Sequence, residues 1–263
     1  MSMILYIILT IFGLCGLIAA HEFGHYIVAK TVGCRVEEFA IGFGPALYKR
    51  TCKDGMIFSL RAIPLGGFCQ IPGESTVTQD GDDKQLLCNK KTWQQALVFV
   101  AGVTVNLLLS FVLCIIAHAI YSGSIECFAS GIANGWKNIL FVFKSFELLF
   151  TGQVELNQIS GIIGAVNIIA EVSSESSVVR VGLANWFVLM GYISANLGIA
   201  NLFPIPALDG GRIFMLGLNK LSLVFRKKPL SKDVQINAVY YTMIAMFILM
   251  GVLVIWDIIN IFA

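Results

Sequence analysis

Residues 3–30 read MILYIILTIFGLCGLIAAHEFGHYIVAK, and Glu22 is the one charged side chain among residues 1–29. A helix needs about 20 consecutive apolar residues to cross the hydrocarbon core of a bilayer, so this stretch is long enough to span one. Near its end stand His21, Glu22 and His25. Positions i and i+4 share one helical face, so both imidazoles can hold a single zinc ion, with Glu22 between them placed to act as a general base. Three ionisable groups at membrane depth cost several kcal/mol unless they are paired or coordinated. The alternative is a pair of hydrogen-bonded core histidines. The chain has three histidines in all, and two of them at this spacing favour the metal.

Outside this stretch the composition agrees with a lipid solvent. Hydrophobic residues make up 57% of the 263 and charged residues 13%, about half the quarter typical of soluble domains. Mean hydropathy is +0.81. These values exclude a disordered chain, a coiled coil and a disulfide-stapled secreted domain. A net charge of +2 offers little to a phosphate backbone, so no nucleic-acid partner is expected. Residues 92–125, 181–208 and 234–256 also carry no charge. The chain therefore reads as an α-helical polytopic membrane protein with four transmembrane helices, at about 3–30, 94–121, 183–207 (continuing after a break to about 225) and 236–262. The first run lacks the basic n-region of a signal peptide and is expected to stay in the protein.

Lysines and arginines set the orientation. Residues 30–93 hold nine, 213–233 hold five, and 122–183 hold three. Both termini are then expected outside and the two basic segments in the cytosol. Val36–Ala46 and Gly55–Ile63 are β-rich runs around Lys53-Asp54-Gly55, a hairpin signal, and 66–71 suits a further short strand. Across 131–152, Trp136, Ile139, Leu140, Phe143 and Phe150 fall on one helical face, which suits an amphipathic helix in the membrane interface before the third span. The seven cysteines show neither a disulfide framework nor a zinc-ribbon spacing. A Cys52–Cys69 bridge is disfavoured in a cytosolic loop.

A catalytic zinc takes a third protein ligand and leaves one position for water. His118, alone in the second span, reads as a packed histidine. Asp209 is the better candidate, in Asn201-Leu-Phe-Pro204-Ile-Pro206-Ala-Leu-Asp209-Gly210-Gly211-Arg212, directly after 28 uncharged residues. Two prolines break the third span there, and a broken helix at membrane depth is tolerated where its backbone lines protein or water. The alternative is a surface helix end capped by Asp209.

The HExxH pattern joined to this Asn-x-x-Pro-x-Pro-x-x-Asp-Gly-Gly run resembles the site-2 protease family, the M50-type intramembrane zinc metalloproteases. Gly42-Phe43-Gly44-Pro45, Ile63-Pro64-Leu65-Gly66-Gly67-Phe68, Ala101-Gly102 with Asn106, Ser160-Gly161 and Trp256-Asp257-Ile258 are similar to its bacterial sigma-E-regulator protease (RseP-like) branch. The resemblance implies that His21, His25 and Asp209 bind one zinc and that Glu22 activates water. It implies that Asn201 and Asn106 contact substrate, and that 36–72 forms a membrane-associated β-sheet whose edge, at Gly66 and Gly67, receives an extended substrate. Two departures stand out. The 62 residues of 122–183 leave no room for the branch's PDZ domain, and no CBS-type tail is expected. The Ala-Gly-Pro-x-x-Asn pattern of the family lacks its proline here, reading Ala101-Gly102-Val103-Thr104-Val105-Asn106.

The expected activity is that of an intramembrane zinc metalloendopeptidase working in a single domain, 1–263. Its substrates would be transmembrane segments of single-span proteins, or signal-peptide remnants, and its partners that substrate and the lipid bilayer. The expected location is the bacterial cytoplasmic membrane, with the active site toward the cytosol. The reading from another class is a membrane metal transporter or a catalytically silent metal-binding scaffold. Polar groups in spans also mark ion pathways, but here they converge on one depth instead of running through several helices.

Overall fold

In the computed structural model, residues 2–77, 79, 81–122, 127–153, 161–175 and 178–262 are described. They form, in order, α1 (Met3–Thr31), β1 (Glu38–Thr51), β2 (Ile57–Gln70), a short 3-10 turn (Leu87–Asn89), α2 (Thr92–Ser122), α3 (Cys127–Phe150), α4 (Ile162–Ser174), α5 (Val179–Ala200), α6 (Asp209–Arg226) and α7 (Lys232–Phe262). Among the described residues, four helices are long and apolar enough to cross a membrane: Met3–Thr31, Thr92–Ser122, Val179–Ala200 and Lys232–Ile259. Four spans and a small sheet after the first make this an integral membrane protein. Large side chains such as Ile4, Phe12, Leu108 and Phe247 stand exposed along the spans, an arrangement that water would penalise and lipid accommodates.

The chain forms two compact units. One comprises Met1–Leu14, Asn106–Ile199 and Met246–Ala263. Its core centres on Val142, Ala195 and Ile199, with Leu107, Ile139, Phe146 and Tyr192 packed around them. Within it the Trp186 indole N–H donates to the Thr10 hydroxyl at 3.0 Å, tying the start of α1 to α5. The amphipathic helix before the third span is α3, and its packing face is the one opposite the aromatic stripe, as a helix with that stripe turned to the membrane interface requires. Gly131, Gly135 and Val142 are buried, while Trp136, Leu140, Phe143 and Phe150 are exposed. Small residues let two helix backbones approach closely where lipid removes the hydrophobic penalty for leaving large side chains outside. α4 is an additional helix in this unit. The main-chain N–H groups of Gly161 and Gly164 at its start donate to Asp257 of α7 at 2.8 and 2.9 Å, which joins two of the family-like segments. Ser160, beside Gly161, lies outside the described residues.

The other unit comprises Cys15–Val105 and Ala200–Ala245. Its sheet is made by two long strands whose halves pair differently. Thr51↔Ile57 through Ala46↔Arg61 is the antiparallel hairpin closed by the turn at Asp54-Gly55. Glu38–Ile41 runs alongside Ile57–Leu60 in one sense and antiparallel to Gly67–Gln70 in the other, from Glu38↔Gln70 to Ile41↔Gly67. The suggested third strand is thus the continuation of β2. One face packs Phe39, Met56 and Cys69 with Ala29, Val98 and Phe99 from the helices. The far part of the hairpin exposes Phe43, Leu47, Tyr48, Leu60 and Ile63.

Candidate active site

Two adjacent turns of α1 and the first residue of α6 meet in the sheet-containing unit. The His21 and His25 Nε2 atoms lie 3.1 Å apart, and Asp209 Oδ2 is 3.1 Å from the first and 3.2 Å from the second. Both histidines are buried. Asp209 reaches them because the chain leaves helix at Ala200 and re-enters it at Asp209. Pro204 and Pro206 lack the N–H a continuing helix requires. The run closes on itself through Leu208 N–H to the Ile205 carbonyl at 2.8 Å and Gly210 N–H to the Asn201 carbonyl at 2.7 Å. Asp209 stands at the positive end of the α6 dipole, a favourable place for a carboxylate.

These three atoms suit a metal ion. A tetrahedral zinc with bonds near 2.05 Å separates its ligand atoms by about 3.3 Å, and the observed edges are 3.1, 3.1 and 3.2 Å. His25 Nδ1 lies 2.7 Å from the Val98 carbonyl oxygen. A carbonyl can only accept, so Nδ1 carries a proton, and in the neutral ring Nε2 turns its lone pair toward Asp209. Two acceptors at that distance repel unless a proton or a cation lies between them, and a divalent cation satisfies all three ligand atoms at once. α2 passes directly over the cluster at Gly102. A methyl group there would overlap His25 Nε2 and lie 2.8 Å from His21 Nε2, so glycine keeps the space around the ligand atoms open.

Glu22 lies between the two histidines in sequence, and its Oε2 accepts the main-chain N–H of Cys69 in β2 at 3.0 Å. The sheet is docked there by aromatic contacts: the Phe39 ring lies 5.9 Å from that of Tyr26 and 6.4 Å from that of Phe23. Burial, with the Glu22 and Glu74 carboxylates nearby, pushes the Cys69 thiol well above its usual range. A neutral thiol is a poor nucleophile, so Cys69 acts through its backbone. Cys52 and Cys69 are both free thiols.

Gly66 and Gly67 lie in β2, with Gly67 opposite Ile41, and Gly67–Gln70 is paired on the β1 side alone among the described pairings. Asn201 is the first residue after α5 and anchors the loop to Asp209 through its carbonyl. Asn106 belongs to the helical unit and is fully buried, its main-chain carbonyl accepting the Ser194 hydroxyl at 2.8 Å. His118 is also in that unit, with Nδ1 3.0 Å from the Cys114 carbonyl and Nε2 3.2 Å from the Asn134 amide nitrogen. Both its nitrogens are engaged in packing. Sequence reading gave no role to Val98 and Cys69, which act through main-chain atoms common to every residue, and named Gly102 only as part of a family-like segment.

A protein-family model described as Peptidase family M50 matches residues 9–250. A "Putative zinc metalloprotease" of Fusobacterium nucleatum is 25% identical over 81% of this chain and 88% of its own length. One of the same description from Clostridium perfringens is 26% identical over 95% of this chain and 96% of its own. That alignment runs over 341 positions, more than the 263 residues present here, so the clostridial protein carries internal segments this chain lacks. A Chlamydia pneumoniae protein reaches 40% identity over 41% of this chain and 18% of its own length.

Proposed function

Because the chain belongs to peptidase family M50 and is a zinc metalloprotease, we propose that it is an intramembrane endopeptidase. Its substrates are transmembrane segments of single-span proteins, or signal-peptide remnants, cut in regulated intramembrane proteolysis. His21, His25 and Asp209 hold one zinc per chain, and Glu22 is the general base. The observation that carries this reading is the near-equilateral triangle of two imidazole nitrogens from α1 and one carboxylate oxygen from α6, with Glu22 directly after the first histidine.

Zinc, when bound, supplies the Lewis acidity that polarises the scissile carbonyl and ionises water near neutral pH. The rest is the work of side chains and backbone. Val98 fixes the His25 tautomer. The Cys69 N–H holds one Glu22 oxygen, leaving the other to take a proton from the attacking water and deliver it to the leaving amine. A helical substrate must unwind before its peptide bond is accessible. The one-sided pairing of Gly67–Gln70 supports this edge as the seat for an extended segment, whose new main-chain bonds offset those lost on unwinding. Asn201, and Asn106 one turn beyond Gly102 on α2, are the polar side chains we assign to substrate contact.

The internal segments missing here relative to the clostridial protein support selection at the edge strand itself, without a PDZ domain. The basic segments support placement in the bacterial cytoplasmic membrane with both termini outside and the site toward the cytosol. The decisive experiment is Glu22→Gln in proteoliposomes with a single-span test protein. Zinc should be retained while cleavage falls by at least about a hundredfold, the scale of a lost general base. Cleavage at the wild-type rate would remove Glu22 from the chemistry. A wild-type protein that binds zinc and cleaves no membrane segment would support the transporter or scaffold instead.

A further inference from the structure

The segment that follows the edge strand is fastened to two helices at once. Gly73–Val77 leaves β2 a few residues after Cys69 and lies against α6 and α7 of the same unit. Arg212, one turn after Asp209 on α6, donates from Nη1 to the Glu74 carbonyl and pairs through Nη2 with Glu74 Oε1 at 3.4 Å. Its guanidinium also lies 5.9 Å from the Phe99 ring centroid. Gln235, near the start of α7 and 1% exposed, accepts the Val77 N–H at 2.8 Å and donates to the Leu230 carbonyl at 3.1 Å. The cavity left between this strap and Pro206, Arg212, Met215 and Gln235 is about 10 Å³, room for about one water molecule. The strap is therefore closely seated at Glu74 and Val77, with Ser75 exposed between them.

This fastening matters because of what it borders. The strand Gly67–Gln70 is paired on one side, and a strand held by one ladder has no second neighbour to fix its position. Its leading end follows Gly66, whose φ of +112° places it in backbone space that other residues rarely adopt. The strand thus has at one end a buried glycine closely packed against the Phe43 ring and at the other the strap. Between them the Cys69 N–H sets the orientation of Glu22.

We infer that Arg212 and Gln235 are positioning residues: by bolting Gly73–Val77 to α6 and α7 they hold the edge strand, and the Cys69 hydrogen bond to Glu22, in register with the metal-ligand cluster. The inference rests on the proteolytic reading for its consequence, and on the hydrogen bonds alone for the mechanics. Arg212 suits the task because a guanidinium can serve a carbonyl and a carboxylate together, which a lysine ammonium at the same place cannot reproduce. Asp209 keeps its own anchor through Gly210 and Asn201, so releasing the strap leaves the ligand set standing.

The test uses the full chain in detergent, with Arg212→Gln, Arg212→Lys and Gln235→Ala. Alkylation of each cysteine by N-ethylmaleimide is followed by mass spectrometry, beside zinc content. Cys69 and Cys15 are both buried in this unit, and Cys15, on α1, lies outside the core cluster that holds Cys69 and the strap's Val77. With the strap released, the local opening that exposes Cys69 should rise by at least about tenfold in Arg212→Gln and Gln235→Ala. Arg212→Lys should fall between them and wild type. Cys15 labelling and zinc content should not change. Unchanged Cys69 labelling in both variants overturns the inference. So does labelling of Cys15 that rises in step with Cys69, or loss of zinc, because either marks general loosening of the unit. Where wild type but not Glu22→Gln cleaves the test protein, Arg212→Gln should raise KM more than it lowers kcat. If no cleavage occurs and Cys69 still responds, the strap stands and the proteolytic reading falls.

Discussion

Asp209 and Asp257 are both aspartates set in helices of an apolar chain, one in each compact unit, and their neighbours differ in kind. Asp257 is 3% exposed and receives two main-chain N–H groups, from Gly161 and Gly164 at the start of α4. That is a helix cap in which donors meet acceptors and every charge has a partner of complementary sign. Asp209 is surrounded by two imidazole nitrogens, and in a neutral His25 the one held by Val98 at its other side presents a lone pair. Acceptors facing acceptors are stable when a cation joins them. A buried carboxylate among donors holds a fold together, whereas one among acceptors marks a place for a metal.

Replacing each by alanine is the most severe test of that distinction. Asp209→Ala should lower zinc affinity by more than about a hundredfold, since even outer partners of zinc ligands are worth ten to a hundred, and proteolysis should go with it. Asp257→Ala should keep its zinc and lose stability, by about 1–3 kcal/mol for the two N–H groups left without an acceptor. Metal analysis and thermal unfolding in the same detergent separate the two effects. If Asp257→Ala releases zinc as fully as Asp209→Ala, the contrast between cap and ligand is wrong.

The glycines beside these carboxylates sharpen the comparison at a smaller scale. A Cβ at Gly102 would overlap the Nε2 of His25, while one at Gly161 would lie 2.7 Å from Asp257 Oδ2 and 3.1 Å from Leu253. Gly102→Ala should weaken zinc binding by roughly tenfold or more even though alanine favours the helix by about 1 kcal/mol. Gly161→Ala should lower the unfolding temperature and leave zinc affinity alone. A Gly102→Ala protein with unaltered zinc affinity would mean that α2 has room to move away from the cluster.

The Asp209 side of the comparison was legible in the amino-acid order because charge inside long apolar runs is rare, so Glu22 with its histidines and Asp209 after the prolines stood out. The Asp257 side was not. Its partners lie 96 and 93 positions away in a 13-residue helix too short to register as a span. Periodicity gave the outward stripe of α3 but not the glycines on its other face, Gly131 and Gly135, which pack against Ile115 and Phe111, because it weighs large apolar side chains and passes over small ones. The strands were found but cut too short: Pro64, Gly66 and Gly67 look like a break, yet β2 continues through them while its partner changes along β1.

A third carboxylate tests whether the rule extends beyond the spans. Glu38, in β1, accepts the Ser59 hydroxyl at 2.5 Å and Arg61 Nη2 at 2.7 Å through one oxygen. Burial by itself would raise its pKa, but the hydrogen bonds from Ser59 and Arg61 outweigh it and hold the carboxyl below its ordinary range. A folded-state value below the unfolded one stabilises the protein at pH values above the unfolded pKa, about 4.3 for glutamate. That contribution fades as pH falls through the lowered folded value. Wild type and Glu38→Gln should therefore differ in unfolding temperature by a constant amount from pH 7 to pH 5. The gap should be worth up to about 1 kcal/mol, as for a partly exposed pair, and should narrow below about pH 4. Acid would also protonate the proposed zinc ligands, but in both proteins alike, so the difference between them isolates Glu38. A gap that widens as the pH falls would show that the Ser59 and Arg61 donors do not set the charge on this carboxylate.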